Sequence, residues 1–373
     1  MLFKRGDTFY GEFVAPFGCE IGAYGSGERP ILTMFKLLNR PDAWSHHSPG
    51  VWCIDLGTAS SHEGYTATTD ANIGYLMVDG VVKPALRMEI SDLRAPWDFC
   101  CDVREKILFV AAATNPTILA ADIRAAPNCR TDDGTGGIVY CPNGSNEIHD
   151  LHLTGSGGCG MGGTGADVHV HDCLVDYVGG SLLLDGTNRR YGNGIQNWVN
   201  AKRWLVERSE IAHVYDAAWT AQGDAGDDGS WQDLTLRDNH IHDCSQSVEF
   251  WSRGSASAGG FQRILVENNV FERAGLSAFS AVRPNQDVRV HLLTYLWETQ
   301  ADITLQHNVF DDAFGAYSYF AFDPIGLVSQ NNDIRMKSGH RVQFQRSETV
   351  DEFAAWQELT GREAGSTMTI LSS

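Results

Sequence analysis

The sequence predicts an all-β chain wound as a coiled solenoid, and three observations predict it. Six short segments repeat one pattern, a small residue followed two places later by an apolar one. They are Cys173-Leu174-Val175, Ser209-Glu210-Ile211, Asn239-His240-Ile241, Asn269-Val270-Phe271, Asn308-Val309-Phe310 and Asn332-Asp333-Ile334. They recur at intervals of 24 to 39 residues, the size of a unit that cannot bury its own apolar face and must stack on its neighbours. The residues between them are β-branched and aromatic without a helical apolar period. Glycine is abundant (39) and proline modest (11), which suits many tight corners better than a disordered chain.

Composition sets the outer bounds. With 373 residues and 43% hydrophobic content the chain can bury a long continuous core, and a solenoid grows by adding coils without splitting into domains. No run of 18 apolar residues is present, so no helical membrane span is expected. A formal charge of -19 argues against nucleic acid and anionic membrane surfaces as partners. Nine cysteines occur with no CxxC pair, so a metal cluster is not expected. Most should pack as small apolar side chains, with Cys129 and Cys141 the one pair to examine for a disulfide. Met1 to Asp7 reads as part of a strand rather than a leader. A secreted or periplasmic protein with its start trimmed is expected, a cytoplasmic one being the alternative.

The elements follow in order. Residues 1–125 read as first coils interrupted by a small inserted β-rich region. Within it Gly74 to Val81 forms a hairpin about Asp79-Gly80, and a second pair runs from Trp97-Asp98-Phe99 to Ile107-Leu108-Phe109-Val110. A loop around Asp132-Asp133-Gly134 leads into regular coils over 126–345. Their second strands align as Ile195 to Trp198, Ala218 to Gln222, Ser247 to Trp251 and Ala278 to Val282. Alternation along a strand turns Ile195, Trp219, Val248 and Phe279 inward, together with Asn197, Ala221, Phe250 and Ala281. Gln196, Thr220, Glu249 and Ser280 then face outward, as do Trp198, Gln222, Trp251 and Val282. The ladder asparagines read as interior corners whose stacked amides bond to one another and to the backbone. Over 346–373, apolar residues at 353, 356 and 359 ahead of Gly361 predict a short helix that closes the solenoid.

Several stretches carry a family likeness. Phe3-Lys4-Arg5-Gly6-Asp7, Ala23-Tyr24-Gly25-Ser26-Gly27-Glu28-Arg29-Pro30, the Asn-x-apolar ladder and Trp356-Gln357-Glu358-Leu359-Thr360-Gly361 together resemble the right-handed parallel β-helix superfamily. This is the pectate-lyase-like group of polysaccharide lyases, hydrolases and epimerases. The resemblance implies an exposed sheet face on which a polysaccharide or oligosaccharide lies. It does not single out one activity.

Two Gly- and Asp-rich loops border the same face, Asp185 to Gly194 and Gln222 to Trp231, and long loops on a rigid scaffold are where binding concentrates. Asp216 lies at the entering corner of one face strand, and Glu249 stands outward one coil later. Coils about 4.8 Å apart bring these carboxylates to between about 5 and 10 Å, a span covering both glycosidase geometries. Asp185 is the third acidic candidate. An Asp opening a turn commonly caps backbone, a competing role for Asp216 and Asp185. The hydrolytic assignment requires Glu249 to be open to substrate and within about 12 Å of another carboxylate. Trp198 and Trp251 share an outward column with Gln222 between them, a platform for the C–H face of sugar rings unless a loop covers it. Gln196, Tyr191, Arg190, Arg253 and Arg283 complete the substrate-binding candidates. The rival chemistry is β-elimination or epimerisation on a uronic-acid polymer, using Arg189, Arg190, Arg253 or Arg283 with Tyr191. Only there would Ca²⁺ enter, on Asp224, Asp227 and Asp228, which otherwise read as a solvated loop. No other cofactor is expected. A non-catalytic glycan-binding module is the alternative of another class. His169, His171, His240 and His242 read as scaffold.

Overall fold

The computed structural model describes residues 1–58, 63–64, 70–129, 136–183, 185–224, 230–253, 260–285, 288–295, 301–320, 323–337, 344–345, 349–350 and 352–371. The fold is mostly β, dominated by three ten-stranded sheets whose regular strands pair in parallel. The chain visits the sheets in turn. Lys202–Glu207 belongs to the first, Glu210–Val214 to the second and Ala217–Asp224 to the third, and Ser230–Arg237 then returns to the first. One such circuit is called a coil below.

The repeat that marks the sequence becomes two stacks. Val175, Ile211, Ile241, Phe271, Phe310 and Ile334 fall in one register column of the second sheet, and all are fully buried in the main core. Each such side chain contributes about 1.5–3 kcal/mol by leaving water. Beside them the ladder asparagines bond as expected. Asn239 Nδ2 donates to the carbonyls of Val206 and Arg237, while its backbone N–H donates to Asn269 Oδ1 at 3.0 Å. Asn269 and Asn308 repeat the arrangement toward Asn308 and Asn332.

The corner between first and second sheets is two residues long in every regular coil, as in Arg208-Ser209 and Asp238-Asn239. Its first residue is left-handed each time: Asp172, Arg208, Asp238, Asn268, His307 and Asn331 have φ of 53°, 47°, 56°, 55°, 55° and 53°. Two further left-handed columns run through the strands, Tyr177, His213, Asp243, Arg273 and Asp312, and Asp167, Arg203, Asp233 and Arg263. Short polar side chains tolerate this conformation best. The last column also alternates in charge, with Arg203 on Asp167 and Arg263 on Asp233 through two hydrogen bonds each.

Between the early coils and residue 137 the chain builds two small antiparallel sheets. One contains Ile73–Val78, Val81–Lys83 and Ile123–Pro127, the other Val51–Asp55, Phe99–Asp102 and Ile107–Ala111. Asp79 and Gly80, at φ of 47° and 77°, make the two-residue turn between Val78 and Val81. Near the C-terminus a helix spans Phe353–Thr360 and ends at Gly361, left-handed at φ 67°, whose N–H donates to the Gln357 carbonyl. Its Trp356 is buried against Tyr317 and Tyr319 of the third sheet.

Two expectations need correction. Residues 278–282 are not a face strand. Ala278–Ala281 is a helical turn capped by the Ser277 hydroxyl, and the third-sheet strand of that coil is Val290–Tyr295. Cys129 and Cys141 are separate buried thiols, Cys129 Sγ lying 3.1 Å from Ser156 Oγ.

Candidate active site

The register of the third sheet decides which side chains leave the core. Ile195, Trp219, Val248 and Leu292 align as one inward column, with Asn197, Ala221, Phe250 and Thr294 as the other. Asn197 does point inward. Its amide is fully buried and makes no hydrogen bond among the described residues. Gln196, Thr220, Glu249, Leu293 and Ser318 form the first outward column. The second holds Trp198, Gln222, Trp251 and, two coils further on, Phe320.

Glu249 therefore faces away from the core, yet it is only 8% exposed. The condition that it stand open to substrate is not met. Thr220 Oγ1 lies 3.3 Å from its Oε2. Burial, and then the negative charge of Asp216, push its carboxyl up to about 8, against the opposing pull of Arg283 and the Thr220 contact. Both causes favour the protonated form of this side chain.

Asp216 sits where the second-sheet strand Glu210–Val214 turns into Ala217–Asp224. Its N–H donates to the Gly192 carbonyl, and its own carbonyl accepts from Gln246 N–H. Arg283 donates to Asp216 Oδ1 at 2.6 Å and to the Tyr215 carbonyl at 3.1 Å. The helical turn at 278–281 delivers this arginine. Ser280 Oγ lies 3.0 Å from Ser245 Oγ at the adjoining corner, and Phe279 packs edge-on against Tyr75 of the inserted sheet and Tyr215. The Tyr215 ring has Arg283 over it at 5.2 Å and Arg190 at 4.6 Å. A neutral buried carboxyl thus shares the face with an ion-paired carboxylate close enough to act on its ionisation. That division suits one group to give a proton and the other to accept one.

The other candidates divide. Trp198, Gln222 and Trp251 are half-buried in one outward column, which Phe320 extends two coils further. Gln196 is buried, its Oε1 accepting from Asn193 Nδ2 at 3.0 Å with Cys159 Sγ equally near. Tyr191 is buried and donates to Asn128 Oδ1. Arg190 spends its guanidinium on the carbonyls of Gly180, Pro84 and Gly74, tying the inserted sheet to the coils. All three side chains spend polar atoms on partners within the protein. Asp185 caps its own loop. It accepts from the hydroxyl and N–H of Thr187 and pairs with Arg189 at 2.6 Å, contacts that lower its carboxyl to about 2. The side chains of Arg253 and Asp224, with Asp227 and Asp228, lie outside the described residues, as do parts of the Gln222–Trp231 and Asp132 loops.

Sequence reasoning turned Thr220 outward beside Glu249 and put Tyr215 at the face without giving either a role, and it missed Phe320. Phe320 was legible only once the register of Val290–Tyr295 was known. It also missed a cavity of about 460 Å³ between the second sheet and the inserted sheet, lined by Tyr10, Phe35, Met77, Arg124, His152 and Asp176 among others. There His152 Nε2 lies 2.8 Å from Asp176 Oδ1.

No family model and no curated protein matches this chain. Solved structures similar in shape include XylC in complex with xylose, 11% identical at a TM-score of 0.46, covering 92% of this chain and 65% of that one. Another is named a glycoside hydrolase, 6% identical at a TM-score of 0.41, covering 100% of this chain and 88% of that one. The chain spans less than two thirds of the length of the first. At these scores the likeness carries no argument about activity.

Proposed function

We propose that this chain is a carbohydrate-active enzyme that hydrolyses glycosidic bonds in a glycan lying along the outward face of the third sheet, and that its coils wind as a right-handed parallel β-helix. In this reading Glu249, which must be uncovered as the glycan binds because it is only 8% exposed, is the general acid that protonates the leaving oxygen, and Asp216 is the carboxylate that activates water or attacks the anomeric carbon. The observation that carries this is the contrast between the two groups: Glu249 is held neutral by burial and by Asp216, while Asp216 is ion-paired with Arg283. The half-buried Trp198 and Trp251 supply ring-stacking surface in the next column.

The lyase or epimerase alternative draws less support, because its cations and base are otherwise occupied. Arg190 holds backbone carbonyls, Arg189 pairs with Asp185, Arg283 pairs with Asp216, and Tyr191 bonds Asn128. A second reading does have a specific observation behind it. The 8% exposure of Glu249 favours a non-catalytic glycan-binding face built on the tryptophan column.

Reducing-end release across a polysaccharide panel separates these readings. A hydrolase loses at least about 100-fold in turnover in both Glu249→Gln and Asp216→Asn and keeps its affinity for the glycan. Release of unsaturated, ultraviolet-absorbing ends that survives both changes marks a lyase. Affinity without any new ends marks a binding module and ends the hydrolytic proposal.

A further inference from the structure

Away from the third sheet, the outward surface of the first sheet carries a constellation with no part in the proposed hydrolysis. His169 and His171 are two residues apart on the strand Ala166–His171, so both side chains leave the same face. Glu147 is in register with His169 on the preceding coil. His171 Nε2 lies 3.2 Å from Glu147 Oε1, and one ligand atom from each of the three residues lies within 4.8 Å of the others. The ring of His171 is fixed from behind, because its Nδ1 meets Asp172 Oδ2 at 2.7 Å and Asp172 is held left-handed at the corner. It is steadied from the side by His149, stacked at 5.2 Å and 7°. A carboxylate on one imidazole nitrogen that leaves the other pointing at a common centre is how proteins orient a metal ligand.

We infer that Glu147, His169 and His171 form a binding site for a divalent transition metal ion, with Zn²⁺ the best match to two imidazoles and one carboxylate. The ion is held by Nε2 of each histidine and a carboxylate oxygen of Glu147, and solvent completes its shell. Binding displaces the 3.2 Å contact between His169 Nε2 and Glu207 Oε1. Glu207 is not a ligand, because Arg237 and Arg208 hold it.

The chain contains its own control. His240-Ile241-His242-Asp243 repeats the pattern on the second sheet, with Glu210 in register with His240, His242 Nδ1 on Asp243 and His242 Nε2 on Glu210. There the three groups near enough to one another are His213, His242 and Asp243. Arg273 clamps that aspartate through two hydrogen bonds of 2.9 and 2.8 Å, setting a fixed cation where an ion would have to sit. The first sheet is therefore the site and the second is not.

Calorimetric titration of Zn²⁺ into the chelator-treated full chain tests this without reference to activity. One ion per chain is expected at pH 7.5, with affinity falling at least about 10-fold at pH 5.5 as protons compete for the histidines. His169→Ala and His171→Ala should each weaken binding by more than about 50-fold, and Asp172→Ala by about 10-fold. Glu147→Gln, on a half-exposed side chain where unfolding is not at issue, should weaken it by at least about 10-fold. His240→Ala and His242→Ala should leave it unchanged. Absence of a one-to-one isotherm, or affinity that survives Glu147→Gln together with His171→Ala, overturns the assignment.

Discussion

Replacing Glu249 by glutamine should make the protein more stable, and increasingly so as the pH rises. The carboxyl titrates near 8 when folded against 4.5 for the free group. Below about pH 4.5 both folded and unfolded chains carry the proton, and the side chain exacts no penalty. Between 4.5 and 8 the unfolded chain releases it while the folded chain keeps it. Stability then falls with rising pH at about 1.36 kcal/mol per pH unit. The ceiling reached above pH 8 is roughly 5 kcal/mol, and water entry on ionisation brings the expected loss to about 2–5 kcal/mol. Glutamine keeps the shape and an acceptor for the Thr220 hydroxyl but has no proton to lose. Urea unfolding of wild type and Glu249→Gln at pH 4.5, 6, 7.5 and 9 reads the difference, in which all other groups cancel. It should be near zero at the first pH and favour the variant by about 2–5 kcal/mol at the last. A difference that stays constant across this range would falsify the buried, Asp216-coupled carboxyl and remove the basis for calling it the acid. A variant that is both more stable and inactive would be the expected mark of a strained functional group.

Further outcomes follow from the scaffold. Asn269→Ala removes an amide that donates to the Leu236 carbonyl and to Asn308 Oδ1 and accepts from the backbone N–H and Nδ2 of Asn239, and should cost about 2–4 kcal/mol in urea unfolding. Asn197→Leu replaces an inward amide with no hydrogen bond among the described residues, and should gain about 1 kcal/mol or more. Arg190→Ala removes the guanidinium that donates to the carbonyls of Gly180, Pro84 and Gly74. It should lower stability by about 3 kcal/mol and make the region 73–127 the first cut in limited proteolysis, with affinity for glycan unchanged. Asp185→Ala should leave turnover within about two-fold, because the carboxylate serves an exposed loop.

What was legible in the sequence was what repeats. The column of Val175, Ile211, Ile241, Phe271, Phe310 and Ile334, the asparagine ladder, the Asp79-Gly80 turn and the helix ending at Gly361 each have a local cause that a short window contains. The strand expected at 278–282 failed for the same reason in reverse. Four residues of alternating Ala, Phe and Ser fit strand and helix alike, and the Ser277 cap with the Ser280–Ser245 contact chose the helix. At the site, register was recoverable and burial was not. Alternation turned Glu249 outward, but its 8% exposure is set by tertiary packing that no short window of sequence contains. Arg190 and Tyr191 looked like ligand contacts because their partners Gly74, Pro84 and Asn128 lie 116, 106 and 63 residues away. Thr220, an unremarkable residue in the sequence, became relevant only through the carboxyl beside it.

The two-residue corner between first and second sheets sets where this fold can accept change in length. Every regular coil spends one left-handed residue and one ladder residue there, so a single added residue would interrupt both stacks at that coil. The corners on either side of the third sheet obey no such count, and stretches as different as 215–216, 179–194 and 275–289 serve the same step. Insertions can therefore accumulate around one face while the opposite edge stays fixed. For protein engineering this makes the third sheet the side on which loops can be exchanged, and the asparagine edge the side that must be copied unchanged.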